Sequence, residues 1–323
     1  EALWTPQDDT AIEAAFKSKQ VDGTGFIDVS NIDRIAAELS AEGVEIDAAV
    51  TSGWINSRLM VADSERASTP FKDIRLRKAF IIAIDRNRMG QQIYRNDFVF
   101  GSPVGQAIRV WALPLSELLK KPGYRFTKQE REQDLAEAKQ MWETAGGPNI
   151  APFTVIVAGI PDYIKNFWPQ FQTMVADNLG YQIQGRIDSS GYTELAQCLL
   201  EKSCPMGFGF DNGWIDLDDW VYPYFYTNGP KNSFNLSDPA LDQMLDAQRA
   251  EFDFERRRQL GYEIQHYLLD NVVARLDWVA PISRGVQWSY RRNRHPAPWF
   301  GNNFHLANEW LDRTHPGFEG RPS

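Results

Sequence analysis

Two cysteines in 323 residues, Cys198 and Cys204, and four histidines leave little material for a metal centre. The cysteines are separated by LLEKS, outside any CxxC spacing, and His266, His295, His305 and His315 show no ligand-pair spacing. No metal and no other cofactor is therefore expected. No apolar run approaches the length that crosses a bilayer. Basic residues are outnumbered 34 to 43, for a net charge of -9, and Arg291, Arg292 and Arg294 make one small basic knot that reads as a solvated turn. That excludes a nucleic-acid surface, which needs a clustered basic stripe with interleaved aromatics. A nucleophile elbow and a phosphate-binding glycine loop are both missing, and Ser102 in GSPVG has the wrong context for a serine hydrolase. The chain opens on Glu1 with no signal peptide, which reads as a processed or cut chain.

Aromatic residues are abundant, 13% of the chain, and they crowd with carboxylates between Gly207 and Tyr226, GFGFDNGWIDLDDWVYPYFY. Residues 204 to 210 read as a buried strand, after which the chain is too acidic to stay in a core. Rings at Trp214, Trp220 and Tyr222 offer flat apolar faces, and Asp211, Asn212, Asp216 and Asp218 offer polar groups beside them. Stacking plus acceptors suits an amine-bearing or hydroxyl-bearing organic ligand. The same text also fits packed rings beside a solvated acidic loop.

The remaining text alternates helix and strand. AAFKSKQVDGTGFIDVSNIDRIAAEL mimics a helix, calcium loop and helix, but the ligand positions fall on Gln20, Asp22, Thr24, Asp28 and Asn31, with no bidentate Glu. Calcium is rejected there in favour of helix, turn at Gly23 to Gly25, and a helix capped by Ser30. Val44 to Val61 reads as strands. Asp73 and Asp85 cap two successive helices, and Phe98 to Gly123 reads as a surface wrap. Thr127 with Glu130 makes a capping box for a helix stopping at Gly146. Phe153 to Val157 (strand), a helix from Pro161 to Gly180 and Tyr181 to Ile187 (strand) form a crossover unit, which favours a parallel pair. A helix over Tyr192 to Leu200 leads to the 204 to 210 strand. Helices from Ser237 and Asp238 and from Phe254 to Leu269 follow, then strands at Val272 to Val279 and Arg284 to Tyr290. The tail from Arg291 reads as an irregular surface layer. Cys198 and Cys204 fit a local disulfide in an oxidising compartment, and fit two buried thiols equally.

FKDIRLRKAFIIAIDRNRM, EAKQMWETAGG, GYQIQGRID, GWIDLDDWVYPYF, SDPALDQMLDAQ and ERRRQLGYEIQHYLLDN, in this order over Phe71 to Asn271, resemble the family 5 solute-binding proteins of ABC transporters, the oligopeptide, dipeptide and nickel class. The resemblance implies an α/β, type II periplasmic binding protein-like fold, here the carboxy-terminal lobe with part of the first lobe. Residues 1–60 would be the late part of the first lobe, 61–274 the second, ligand-contacting lobe, and 275–323 the return to the first. Relatives are longer at the amino end, so an amino-terminal truncation is implied. Peptide-binding relatives anchor the peptide amine on an Asp three residues after a Gly-Trp. Gly213 and Trp214 are present here, but that position is Leu217, flanked by Asp216 and Asp218. Either carboxylate would then reach the amine after a small loop shift, or the ligand is not a peptide.

The implied function is the extracytoplasmic binding component of an ABC importer, periplasmic or extracellular and anchored by a lipidated amino terminus absent from this chain. It would capture a short peptide by lobe closure and deliver it to a permease, with an oligosaccharide as the alternative ligand. A carbohydrate-active hydrolase using Asp211 and Asp219 is the competing class, because glycoside hydrolysis needs two flanking acids. The resemblance points away from catalysis.

Overall fold

The structure, a computed structural model, describes residues 9–25, 29–50, 53–159, 162–293 and 308–322. The chain divides into two units, Glu1–Thr51 with Pro281–Ser323, and Ser52–Ala280. The first unit opens with α1 (Asp9–Lys17), β1 (Gly23–Gly25), α2 (Val29–Glu38) and β2 (Val44–Val50). The text that mimics a calcium loop becomes a short strand in place of the expected turn. Asp22 there accepts from the Tyr290 hydroxyl at 3.0 Å and from two nitrogens of Arg321 at 2.7 and 2.9 Å. Residues 26–28 and the Ser30 side chain, expected to cap α2, lie outside the described residues.

The second unit runs β3 (Gly53–Leu59), α3 (Ile74–Ala83), α4 (Arg86–Tyr94), β4 (Phe98–Phe100), α5 (Leu115–Leu118), α6 (Lys128–Thr144), β5 (Thr154–Val157), α7 (Asp162–Leu179), β6 (Gln184–Ile187), α8 (Thr193–Glu201), β7 (Met206–Asn212), α9 (Leu217–Phe225), α10 (Pro239–Ala250), α11 (Phe254–Tyr267) and β8 (Arg275–Asp277). Its sheet has the order β6-β5-β7-β3-β8. β5 pairs parallel with β6 and with β7, the parallel pair expected of the crossover unit, while β3 is antiparallel to both β7 and β8. The carboxyl ends of the parallel strands lie on one edge, β5 and β6 ending level at Val157 and Ile187 and β7 running on from Phe208 to Asn212, and this is the edge where ligands gather in open α/β sheets.

Local chemistry sets the helix starts. Asp73 accepts from the Arg75 N–H at 2.8 Å and Asp85 from the Arg88 N–H at 2.9 Å, each satisfying an amide that the first turn leaves unpaired. Asp238 caps α10 with Pro239 in the first turn. Gly146 and Gly180, with φ of 79° and 68°, end α6 and α7 in the left-handed conformation that favours glycine. Thr127 makes half of the expected box: its hydroxyl accepts from the Glu130 N–H, but it also meets the Glu130 carboxylate at 2.5 Å.

Two cores result. One holds Phe71, Phe80, Trp142, Phe171, Phe208 and Trp278, from α3, α6, α7 and the sheet. The other holds Trp54, Trp220, Tyr224, Phe225, Phe234 and Leu241, beneath α9 and α10. Phe98 to Gly123 was expected to wrap over a surface, yet Val104, Trp111 and Ala112 are buried in the second core, and Leu113 and Leu118 form a small cluster of their own with Tyr124. The chain then returns to the first unit with β9 (Val279–Trp288), which takes β1 and β2 antiparallel, and with the pair β10 (Arg291–Arg292) and β11 (Trp310–Leu311). Phe16, Ile32, Ile35, Val286 and Trp288 form that unit's core. Of the tail expected as an irregular layer, residues 294–307 lie outside the described residues.

Candidate functional site

β7 ends at Asn212, and the next three residues carry it out of the sheet. Trp214 is 41% exposed and Ile215 72%, two large apolar groups open at this edge. The expected acidic contact loop is mostly a helix, α9. Asp216 is its N-cap, accepting from the Asp218 N–H at 2.9 Å, and Asp219 returns to the Asp216 N–H, closing a capping box. Two acids three residues apart were therefore a helix start, with Asp in the place usually held by Glu.

Other expected contact residues are engaged by neighbouring side chains. Asp216 takes two nitrogens of Arg257 at 2.6 and 2.9 Å. Burial pushes its carboxyl up, but Arg257 and the Asp218 amide outweigh this and hold it below the ordinary carboxylate range. Asp218 accepts from Gln248 at 2.7 Å and pairs with Arg249 at 3.4 Å. Asp211 accepts from the Tyr224 hydroxyl at 2.6 Å and is ion-paired to Arg58. Asn212 sits in β7 opposite Gly53; its side chain lies outside the described residues. Tyr222 stacks on Tyr226 at 4.4 Å between centroids, with the Arg249 guanidinium 4.1 Å from its ring.

Trp220 departs furthest from expectation. It is 0% exposed, stacked on Trp54 at 4.6 Å, and its indole N–H donates to the Trp214 carbonyl at 2.9 Å. A Cβ at Gly213 or at Gly105 would run into its ring, so both glycines are the seat of this indole. Trp220 cannot present a face to a ligand. It fixes the turn from which Trp214 projects.

A cavity of about 560 Å³ opens on the same unit, between α8 and the 227–233 segment. β7 carries Gly207 and Gly209 against Leu195, whose methyls lie 2.8 Å from where either Cβ would stand, so α8 packs close to the strand. Charge in the cavity wall runs against the chain's acidic balance: Arg58, Lys202 and Lys231 face one carboxylate, Asp211. Arg58 comes from the otherwise buried strand β3 and is 11% exposed. Burial opposes its charge, but Asp211, Tyr192 and Tyr224 outweigh that and hold its pKa above the ordinary value. Burial, then Asp211, pushes the Tyr224 hydroxyl strongly up, so it stays a neutral donor. None of Arg58, Tyr192, Lys202 or Lys231 was singled out from the sequence. An arginine amid WINSRLM, a run of mostly apolar text, was the available signal.

Cys198 and Cys204 are joined, with Cα atoms 5.7 Å apart, settling the alternative the sequence left open. Among the described residues no group of three His, Cys, Asp or Glu side chains could hold a metal, and no helix is long and apolar enough to cross a membrane. His295 and His305 lie outside the described residues.

Residues 3–181 match the sequence model of the family described as "Bacterial extracellular solute-binding proteins, family 5 Middle". Among solved structures, the ABC transporter substrate binding protein CtaP from Listeria monocytogenes superposes with a TM-score of 0.72 at 14% identity, covering 95% of this chain and 59% of that one. Haemophilus influenzae OppA, in complex with RPPGFSPFR, gives 0.70 at 15%, covering 94% and 56%. The Escherichia coli murein tripeptide binding protein MppA gives 0.67 at 13%, covering 87% and 52%. At these identities the likeness shows the fold, that of the type II periplasmic binding proteins. The chain spans a little over half the length of those structures. No curated protein matches it.

Proposed function

The chain belongs to the bacterial extracellular solute-binding proteins of family 5, and on that premise we propose that it is the ligand-contacting part of an ABC importer's binding component, that its ligand is a short peptide, and that the full-length protein hands this ligand to a permease. The observation that carries the reading is the Gly213-Trp214-Ile215 turn at the carboxyl end of β7. It holds an exposed indole and an exposed aliphatic side chain at the edge where α/β sheets bind ligands. Two of the similar structures are a peptide complex and a murein tripeptide binder, which supports a peptide over an oligosaccharide. Because Asp216 is bound to Arg257 and caps α9, Trp214 is the contact in this reading, and the carboxylates hold its turn in place.

Capture by lobe closure belongs to the same proposal, as does a location outside the cytoplasm with a lipid anchor. The Cys198–Cys204 disulfide supports the location, since such bonds persist in oxidising compartments. Native mass spectrometry of the full-length protein, purified gently from its own organism, tests the ligand class. A spread of bound masses that fragment as short peptides is expected. A hexose-spaced series would overturn the peptide reading.

A further inference from the structure

The cavity between α8 and the 227–233 segment has features that the peptide reading does not use. Its lining carries three cationic side chains against one carboxylate, and that carboxylate already accepts from Arg58 and from Tyr224. Lys202 donates to Asn235 at 3.1 Å and Lys231 to the Tyr224 hydroxyl at 3.2 Å; neither is ion-paired to a carboxylate among the described residues. Only one nitrogen of the Arg58 guanidinium meets Asp211, which leaves Nε and Nη1 without an acceptor among the described residues. Both cations converge on one ring: the Arg58 guanidinium is 5.7 Å and the Lys231 ammonium 4.9 Å from the Tyr224 centroid. Ser233, 9% exposed and in the same lining, keeps a buried hydroxyl with no hydrogen-bond partner. Such a group costs free energy unless something else supplies the missing bond.

The opposite wall is apolar. Tyr192, Ala196 and Leu200 of the α8 region line both this cavity and an adjoining groove. The groove also carries Glu201, which is ion-paired to Arg66.

We propose that this cavity is a binding site for an organic carboxylate, its oxygens held by Arg58, Lys231 and the Ser233 hydroxyl, and its apolar body lying along Tyr192 and Leu200. A carboxylate matches the planar fork of a guanidinium, and its negative charge offsets the local cation excess. The apolar wall asks for more than a bare ion. This assignment rests on the interior of one unit and stands whether or not Trp214 contacts a peptide.

The test is calorimetric titration of the full chain with three probes: N-acetyl-leucine, its uncharged amide N-acetyl-leucinamide, and inorganic phosphate. N-acetyl-leucine is expected to bind, with the amide about tenfold weaker or more, as loss of a charge-assisted hydrogen bond requires. Phosphate, which lacks an apolar body, is expected to bind less tightly than N-acetyl-leucine. Lys231→Gln, a change at an exposed lysine that leaves the Arg58–Asp211 pair intact, is expected to weaken N-acetyl-leucine about tenfold. Arg58→Gln is expected to weaken it further, and Lys231→Gln keeps the test decisive if that variant misfolds. Equal binding of the amide, tighter binding of phosphate, no binding of any probe, or indifference to Lys231→Gln would each overturn the proposal.

Discussion

Asp216 separates two accounts of the acidic stretch, because a ligand anchor and a helix cap respond differently to the same substitution. As a cap, Asp216→Ala removes the acceptor for the Asp218 N–H, a loss of about 1 kcal/mol. It also strips Arg257 of two charge-assisted hydrogen bonds. The carboxylate side chain is 39% exposed and the guanidinium 21%, so solvent screening limits that loss to about 1 kcal/mol. Arg257 retains Gln248, at 3.1 to 3.2 Å, and the Trp111 ring, at 5.0 Å. The sum is about 2 kcal/mol, which for a unit of this size lowers the midpoint of thermal unfolding by about 4 to 8 °C. Asn is a good N-cap, so Asp216→Asn should lose only the ionic half, about 1 kcal/mol, and about 2 to 4 °C. The sign of the pH dependence follows. The carboxyl is held below its ordinary value in the folded chain, so its stabilisation is present above the unfolded pKa of about 3.9 and fades as pH falls through the folded value. Differential scanning calorimetry at neutral pH and again at about pH 3 should show the wild type and Asp216→Ala converging in acid. An Ala variant with unchanged thermal stability and a large loss of ligand affinity would refute this account and restore Asp216 as the anchor.

Two further perturbations bear on the same region. Trp220→Ala should cost about 3 to 5 kcal/mol in urea unfolding, because a fully buried indole leaves a large cavity against Trp54; intact stability with lost ligand affinity would show that the ring meets ligand after all. Replacing both cysteines by serine should cost about 2 kcal/mol, the loop-closure value for so short a bridge, and thiol labelling of the untreated protein should find neither cysteine; ready labelling would mean that the pair is not joined.

Four helix starts were legible from a short polar side chain that precedes an apolar period. Asp73, Asp85, Thr127 and Asp238 each mark a start that the structure keeps, because capping is decided within three residues of chain. The crossover unit was legible for a similar reason: two strands flanking a single helix leave few ways to pair. Phe98 to Gly123 was misread because its glycines and prolines look like surface punctuation. Burial there depends on α9 and α11, far along the sequence, with Gln265 donating to the Trp111 carbonyl at 2.8 Å and accepting from the Leu113 N–H.

The site was less legible, and the reason is physical. Whether an acid can meet a ligand depends on which cations reach it first. Asp216 meets Arg257 and Asp211 meets Arg58, pairs 41 and 153 residues apart that no local pattern announces. Ring availability is equally non-local. Trp214 and Trp220 differ by six positions and share the same composition around them, yet one is 41% exposed and the other fully buried. What separates them is Trp54 on β3 and the absence of a Cβ at Gly105 and Gly213, which together make a slot for a single indole. Burying Trp220 forces the turn at Gly213, and the turn pushes Trp214 outward at the carboxyl edge of the sheet. The exposed ring is thus set in place by the buried one, so a substitution that loosens Trp220 should disturb Trp214 as well, while the reverse change should leave the core alone.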